Sequence, residues 1–434
     1  MDKMADVLGR AGAWCGQNKY LSAIKNAFQN FMPLTIAGAI GVLWCNVLVN
    51  ESTGLGIFFK PIMALEFLNP AFQAVNFCTI SCITVGITLG IAQEIGVWNM
   101  GAEKAGYIPG LVGLAAWLSV TNTSHMVEGA KEAFTGIAGN ELGATGLFTG
   151  MIIGVLSVEL FSFFEKQDAL KIKMPEQVPP GVARAFEVLV PATITLIITA
   201  CIGSACYNLT GLYLNDVIKN GIQGPLGAVG ATIPGVMIIY LVIMLFWLVG
   251  IHGNNMLSAV KEALFTPLAL ENVEKFNKGE KPTNIINMYA LQMWGEFGGS
   301  GVTIGLVIAI MIFGKREDNK AIASLSLVPG LFNINETVTF GIPMVLNPIL
   351  GIPFVVAPLI TIIIGYVLTV IGFCPVACLT VPWTTPPIVF GFLACGANVM
   401  GAVTQAILIV VSTVIYVPFL ISYEKYQNKQ AAEA

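Results

Sequence analysis

Long apolar runs recur along the chain, at Phe31–Val49, Phe77–Gly90, Gly146–Phe164, Val188–Tyr207, Pro234–Gly250, Gly301–Phe313, Phe354–Phe373 and Val399–Ile421. Several approach or exceed the ~20 residues that span a hydrocarbon layer of ~30 Å. A segment crossing lipid must satisfy its own N–H and C=O groups, and runs rich in Leu, Ile, Ala, Met and Gly without alternation favour helices over a barrel. The pattern predicts an all-α integral membrane protein. Composition agrees: 56% of the 434 residues are hydrophobic and 11% charged, against ~25% charged in soluble domains, and the mean hydropathy is +0.79.

Charge adds orientation. Lys3, Arg10, Lys19 and Lys25 precede the first run, and Lys166, Lys171, Lys173 and Arg184 flank a Pro-rich connector, Met174–Gly181. Further clusters are Lys261, Lys275, Lys278 and Lys281, then Lys315, Arg316 and Lys320, then Lys425 and Lys429. The segments Asn50–Gln73 and Asn122–Glu141 are poor in Lys and Arg. Basic residues mark cytoplasmic loops, which places both termini in the cytoplasm and requires an even number of crossings. The basic residues are spread along the chain rather than gathered on one domain, so the net charge of −4 points to no nucleic acid partner. Residues 1–30 lack the apolar core and small-residue cleavage site of a signal peptide. Tyr20–Phe31 carries Leu21, Ile24, Phe28 and Phe31 on one face and Lys25, Gln29 and Asn30 opposite, which suits an amphipathic helix at the interface within residues 1–30. The nine cysteines fall almost wholly within apolar runs and form no C-x-x-C pair with partner histidines. They indicate neither a metal site nor a disulfide framework.

The two halves differ in texture. Residues 31–215 are smooth and Gly/Ala-rich and read as a scaffold and dimerisation region, whereas residues 216–434 contain broken apolar segments and read as the transport region. Ile251–Leu270 and Asn284–Ser300 are semi-polar pieces of membrane-like length, and Pro343, Pro348, Pro353 and Pro358 interrupt the run after Pro329. Irregular backbone at membrane depth is tolerated where it lines a cavity, so re-entrant hairpins and a solute site are expected here.

Only two histidines occur. His252, in Trp247-Leu-Val-Gly-Ile-His-Gly-Asn-Asn255, stands where a polar cluster ends an apolar run, while His125 lies in an exterior-like segment. Glu336 follows Asn333 and Asn335 in a similar apolar setting, where a carboxylate is costly unless it pairs, binds a ligand or is protonated. Glu296, Glu94 and Glu159 suit helix ends or interfaces better. Trp247, Trp294 and Trp383 adjoin broken segments; an aromatic face can cover the C–H face of a sugar ring while amides and carboxylates take its hydroxyls.

The set Ile251-His-Gly253, Gly298-Gly-Ser-Gly301, Asn333-Ile-Asn-Glu336 with Phe340-Gly341, and Leu346-Asn-Pro348, with Ala23-Ile-Lys-Asn26 and Met32-Pro-Leu-Thr35, resembles the membrane EIIC component of the bacterial sugar phosphotransferase system, in its lactose/cellobiose/diacetylchitobiose branch. The resemblance implies about ten transmembrane helices, re-entrant hairpins in the C-terminal half, a homodimer in the cytoplasmic membrane and a β-linked disaccharide substrate. It implies that His252 and Glu336 contact the hydroxyl that becomes phosphorylated, with Glu336 the better proton acceptor. It also implies that Asn333, Asn335, Asn254, Trp247, Trp383, Gly139 and Asn140 line the sugar pocket. Thr337-Val-Thr339 departs from the Pro and branched aliphatics expected after the Glu and bears on sugar choice.

No Gly-x-x-x-x-Gly-Lys-[Ser/Thr] loop and no soluble α/β segment with a nucleophilic Cys is present, so a phosphoryl donor would have to come from elsewhere. The resemblance implies a separate cytoplasmic EIIB carrying phosphocysteine, with EIIA upstream. No cofactor is implied. The alternative on the same residues is an ion-coupled secondary sugar transporter, which would use the carboxylates as coupling sites.

Overall fold

A computed structural model describes residues 10, 13, 14, 17–51, 56, 59–125, 134–175 and 177–433. Within them the regular secondary structure is helical apart from a two-residue antiparallel ribbon, Ser124 opposite Thr135 and His125 opposite Phe134. Residues 126–133 of the Asn122–Glu141 segment and the side chain of Asn140 lie outside the described part. Among the described residues five helices are long and apolar enough to cross a membrane: Lys19–Leu48, Ala144–Glu165, Pro180–Thr210, Gly351–Val370 and Val399–Glu433. The number rises to seven if two bent pairs each count as one span, Lys60–Ser81 with Ile83–Met100 at 42° and Met288–Val302 with Ile304–Phe313 at 60°. Ile108–Val120 and Ile233–Leu248 are shorter apolar helices. The amphipathic stretch at Tyr20–Phe31 is not a separate element: it forms the first part of one continuous helix, Lys19–Leu43, started by Asn18 Oδ1 accepting the Leu21 N–H at 3.1 Å.

The chain divides into two compact units. One holds Gln17–Gly38 and Val75–Ala228. Its helices approach closely through small residues, as at Gly150, where an added Cβ would lie 2.2 Å from Thr88 Oγ1. Two acidic residues singled out in the sequence are engaged within it: Glu159 pairs with Lys19 at 2.6 Å, and Glu94 accepts from Asn26 Nδ2 at 2.9 Å.

The other unit holds Ala39–Ala74 and Val229–Ala434, and is built on one continuous apolar core that includes Tyr240, Phe265, Trp294, Phe354 and Tyr416. Its irregular backbone is satisfied internally, as hydrocarbon surroundings require. Asn272, fully buried, accepts from the Thr283 and Asn284 N–H groups at 3.2 and 3.0 Å and donates to the Asn284 and Ala377 carbonyls at 2.8 and 3.0 Å. Asn287 caps Met288–Gly295 through Oδ1, which accepts from Tyr289 and Ala290. Lys261, grouped by sequence with loop charges, is instead buried within the Ser258–Asn277 helix and paired with Glu296. Its location follows from that partner, since an ammonium stays out of water only where a counter-charge meets it.

Candidate functional site

Four broken elements of the second unit supply the site. The Ile233–Leu248 helix ends in a turn through Gly250, after which His252 caps the short Gly253–Met256 helix, its Nδ1 accepting the Asn255 N–H at 3.3 Å. The loop 298–301 joins Met288–Gly295 to Ile304–Phe313. Its bend depends on glycine: Gly299 has φ +86, and a Cβ there would meet Asn335 Cβ at 2.7 Å. A third break precedes the Glu336–Gly341 helix, and a fourth spans residues 371–388 before Val389–Ala394.

Asparagines join these pieces. Asn333 sits in the left-handed region at φ 63, its Oδ1 accepting from Gly298 N–H at 2.6 Å. Its Nδ2 donates to the carbonyls of Trp383 and Thr385, the latter at 3.1 Å. Asn335, buried, donates to Ser300 O at 2.7 Å, and Asn254 Nδ2 donates to Ser300 Oγ at 3.0 Å. Gln405 Oε1 accepts from the Ile388 and Gly391 N–H groups at 2.7 and 2.8 Å and so starts the Val389–Ala394 helix.

The result is a cavity of about 640 Å³ walled by residues of this unit. His252 and Glu336 meet on its wall, Nε2 to Oε1 at 3.8 Å, with side chains 38% and 48% exposed. That separation is too long for a direct hydrogen bond, yet one hydroxyl oxygen can stand at ~2.8 Å from both atoms. Asn254, Asn333, Asn335 and Trp383 line the same cavity. Trp383 is 44% exposed and offers its ring, whereas the amide of Asn333 is committed to the protein on both sides. Asn254 Oδ1 is buried without a partner among the described residues.

Two sequence-selected positions fall elsewhere. Trp247 is 2% exposed and does not line the cavity; its ring packs against His252 with centroids 4.3 Å apart and edge-on to Phe354 at 6.4 Å. It therefore holds the imidazole in place from behind. Gly139 lies in the first unit, opening the Gly139–Leu142 helix.

Sequence reasoning missed Gln292, Ser300 and Gln405 on the cavity wall and set Glu296 aside as a helix-end residue. Glu296 does end Met288–Gly295, but it also faces the cavity. The adjoining Gly298-Gly-Ser-Gly301 loop was the available signal, because a run of glycines permits the positive-φ backbone that breaks the chain at the cavity.

A family model described as phosphotransferase system, EIIC matches residues 25–358. Over 429 residues the chain is 32% identical to the oligo-beta-mannoside-specific EIIC component of Bacillus subtilis, covering 98% of this chain and 94% of that protein. It is 30% identical to the cellobiose-specific EIIC component of Lactococcus lactis, covering 98% of each. The crystal structure of the transporter ChbC, the IIC component of the N,N'-diacetylchitobiose-specific phosphotransferase system, superposes with a TM-score of 0.88 at 29% identity, covering 97% of both chains. The chain, with its several apolar helices, belongs to the EIIC family of the phosphotransferase system.

Proposed function

We propose that this protein is an EIIC permease that binds a β-linked disaccharide of the cellobiose or diacetylchitobiose type, carries it inward and presents a hydroxyl for phosphorylation by a cytoplasmic phospho-EIIB. The observation that carries the reading is the meeting of His252 and Glu336 at 3.8 Å on the wall of a cavity with sugar-compatible amides and an exposed tryptophan. It is supported by relatives named for cellobiose, oligo-β-mannosides and diacetylchitobiose.

Phosphoryl transfer needs the acceptor in line with the donor and a group to take its proton. The sugar hydroxyl oxygen attacks the phosphorus of the phosphocysteine on EIIB. The O–P bond forms, the P–S bond breaks, the thiolate leaves on EIIB, and the hydroxyl proton passes to Glu336. His252 Nε2 fixes the same oxygen. EIIC thus supplies the acceptor site of a phosphotransferase whose donor is another protein, itself charged by EIIA.

Both termini in the cytoplasm and placement in the bacterial cytoplasmic membrane belong to the same proposal, supported by the spacing of basic residues along the chain, as do the roughly ten crossings that the family resemblance implies. So does a homodimer through the N-terminal half: the Pro180–Thr210 helix leaves Val182, Phe186, Leu189 and Ile197 exposed on one side, an apolar face suited to a second copy within lipid.

The test is Glu336→Gln in purified protein supplied with phospho-EIIB. Sugar phosphorylation is expected to disappear while disaccharide binding stays measurable. Unchanged phosphorylation rejects the reading, and accumulation of unmodified sugar in vesicles under an ion gradient would favour ion-coupled transport instead.

A further inference from the structure

A second carboxylate faces the cavity, and its setting differs from that of Glu336. Glu296 follows the last turn of Met288–Gly295, and its Oε1 accepts from two buried side chains on two other helices. Tyr240 of Ile233–Leu248 donates its O–H at 2.7 Å, and Lys261 of Ser258–Asn277 donates its ammonium to the same oxygen. The ammonium also lies 5.6 Å from the centre of the Tyr240 ring, whose face adds to its stabilisation.

Both donors are nearly inaccessible, Tyr240 at 1% and Lys261 at 6% exposure. Burying an ammonium costs several kcal/mol, and an apolar replacement of the whole pair is often as stable. Packing alone therefore gives no reason for charges here. Their common target does: all the protein's donors converge on Oε1, and no donor reaches Oε2 among the described residues, although the Glu296 side chain lines the cavity. A carboxylate has about four acceptor positions, so Oε2 is available to a ligand. Glu336, by contrast, accepts no hydrogen bond from the protein among the described residues, its nearest partner being His252 at 3.8 Å.

We infer that Lys261 and Tyr240 are positioning residues that hold Glu296 by one oxygen so that the other accepts a hydrogen bond from a sugar hydroxyl. The cavity then carries two carboxylates with separate tasks: Glu296, fixed by two donors, anchors the sugar, and Glu336, unbound, is left to meet the hydroxyl that reacts. The inference rests on the sugar-binding reading of the cavity. It assigns affinity, rather than turnover, to a pair of residues that never touch the reacting atoms.

The experiment uses the detergent-purified full chain, with cellobiose and diacetylchitobiose as ligands, and measures equilibrium binding, thermal midpoint and phosphorylation at saturating sugar. Tyr240→Phe keeps the ring over Lys261 and removes one donor; Lys261→Met removes the other. Each is expected to weaken sugar binding by about tenfold or more, while the saturated rate stays within about threefold of the parent's. Should Lys261→Met fail to fold, Tyr240→Phe decides alone. Variants that melt like the parent and bind as tightly as it does would overturn the inference, as would a saturated rate that falls as far as affinity. A parent protein that bound neither sugar would overturn the proposed function and the inference together.

Discussion

Nδ1 of His252 accepts the backbone N–H of Asn255 at 3.3 Å, so the proton of the neutral ring is carried by Nε2, the atom that lies 3.8 Å from Glu336 Oε1. One ring thus performs two separable tasks, capping a helix with one nitrogen and facing the cavity with the other.

Asparagine can replace the first task but not the second. In His252→Asn, the Oδ1 can accept the Asn255 N–H, but no group replaces Nε2. The thermal midpoint is expected to stay near the parent's while phosphorylation falls about a hundredfold, the scale for loss of one hydrogen-bond donor that fixes the reacting oxygen. His252→Ala should lose the same activity and also about 1 kcal/mol of stability with the cap. A scanning calorimeter and a phosphorylation assay separate the two; an active His252→Asn would show that the cap is what His252 supplies.

Asn333 suits its place on two counts. Its left-handed backbone is one that asparagine tolerates better than most residues, and its amide ties Gly298 to the carbonyls of Trp383 and Thr385. Asn333→Ala removes the ties and strains the backbone, for a loss of about 2–4 kcal/mol. Asn333→Gly removes only the ties and should melt above Asn333→Ala by about 1 kcal/mol equivalent. Identical melting of the two would show that φ is not what selects asparagine here.

Much of this was legible because lipid imposes a strict length rule. The runs at Gly146–Phe164, Phe354–Phe373 and Val399–Ile421 correspond to the helices Ala144–Glu165, Gly351–Val370 and Val399–Glu433. The semi-polar piece Asn284–Ser300 does lead into the bent pair at the cavity, Met288–Val302 with Ile304–Phe313. Illegible was whatever depends on which way a side chain turns. Lys261 and Glu296 lie 35 positions apart, at no spacing that local periodicity could register, so a buried ion pair passed for a loop charge and a helix end. Trp247 faces His252 rather than the cavity for the same reason: sequence brings it near the polar cluster but does not say on which side of the imidazole it packs.

The loop at Gly298–Gly301 yields a contrast between two glycines. At Gly299 an alanine would combine a left-handed φ of +86 with a Cβ 2.7 Å from Asn335 Cβ, whereas at Gly139 an added Cβ meets nothing within 4 Å. Gly299→Ala is expected to cost about 2–4 kcal/mol from backbone strain and overpacking, and to weaken sugar binding because Asn335 and Ser300 shift. Gly139→Ala should leave the thermal midpoint within a degree or so of the parent's, well inside the ordinary range for open sites. If Gly299→Ala melts with the parent, the loop is more pliable than its contacts indicate.

Trp383 gives the site an optical reporter. It is 44% exposed and lines the cavity, while Trp117, Trp247 and Trp294 are fully buried, so a sugar entering the cavity changes the surroundings of this indole most directly. Titrating the parent protein with cellobiose should shift and quench tryptophan emission, and Trp383→Phe should abolish most of that change. The phenylalanine keeps an apolar ring over the sugar, so affinity is expected to fall by less than about tenfold, whereas Trp383→Ala should lose about tenfold or more. The order Trp, Phe, Ala in affinity, with the optical signal lost at the first substitution, is the pattern of a ring in contact with ligand. A full emission change in Trp383→Phe with unaltered affinity would instead place the sugar away from this wall of the cavity.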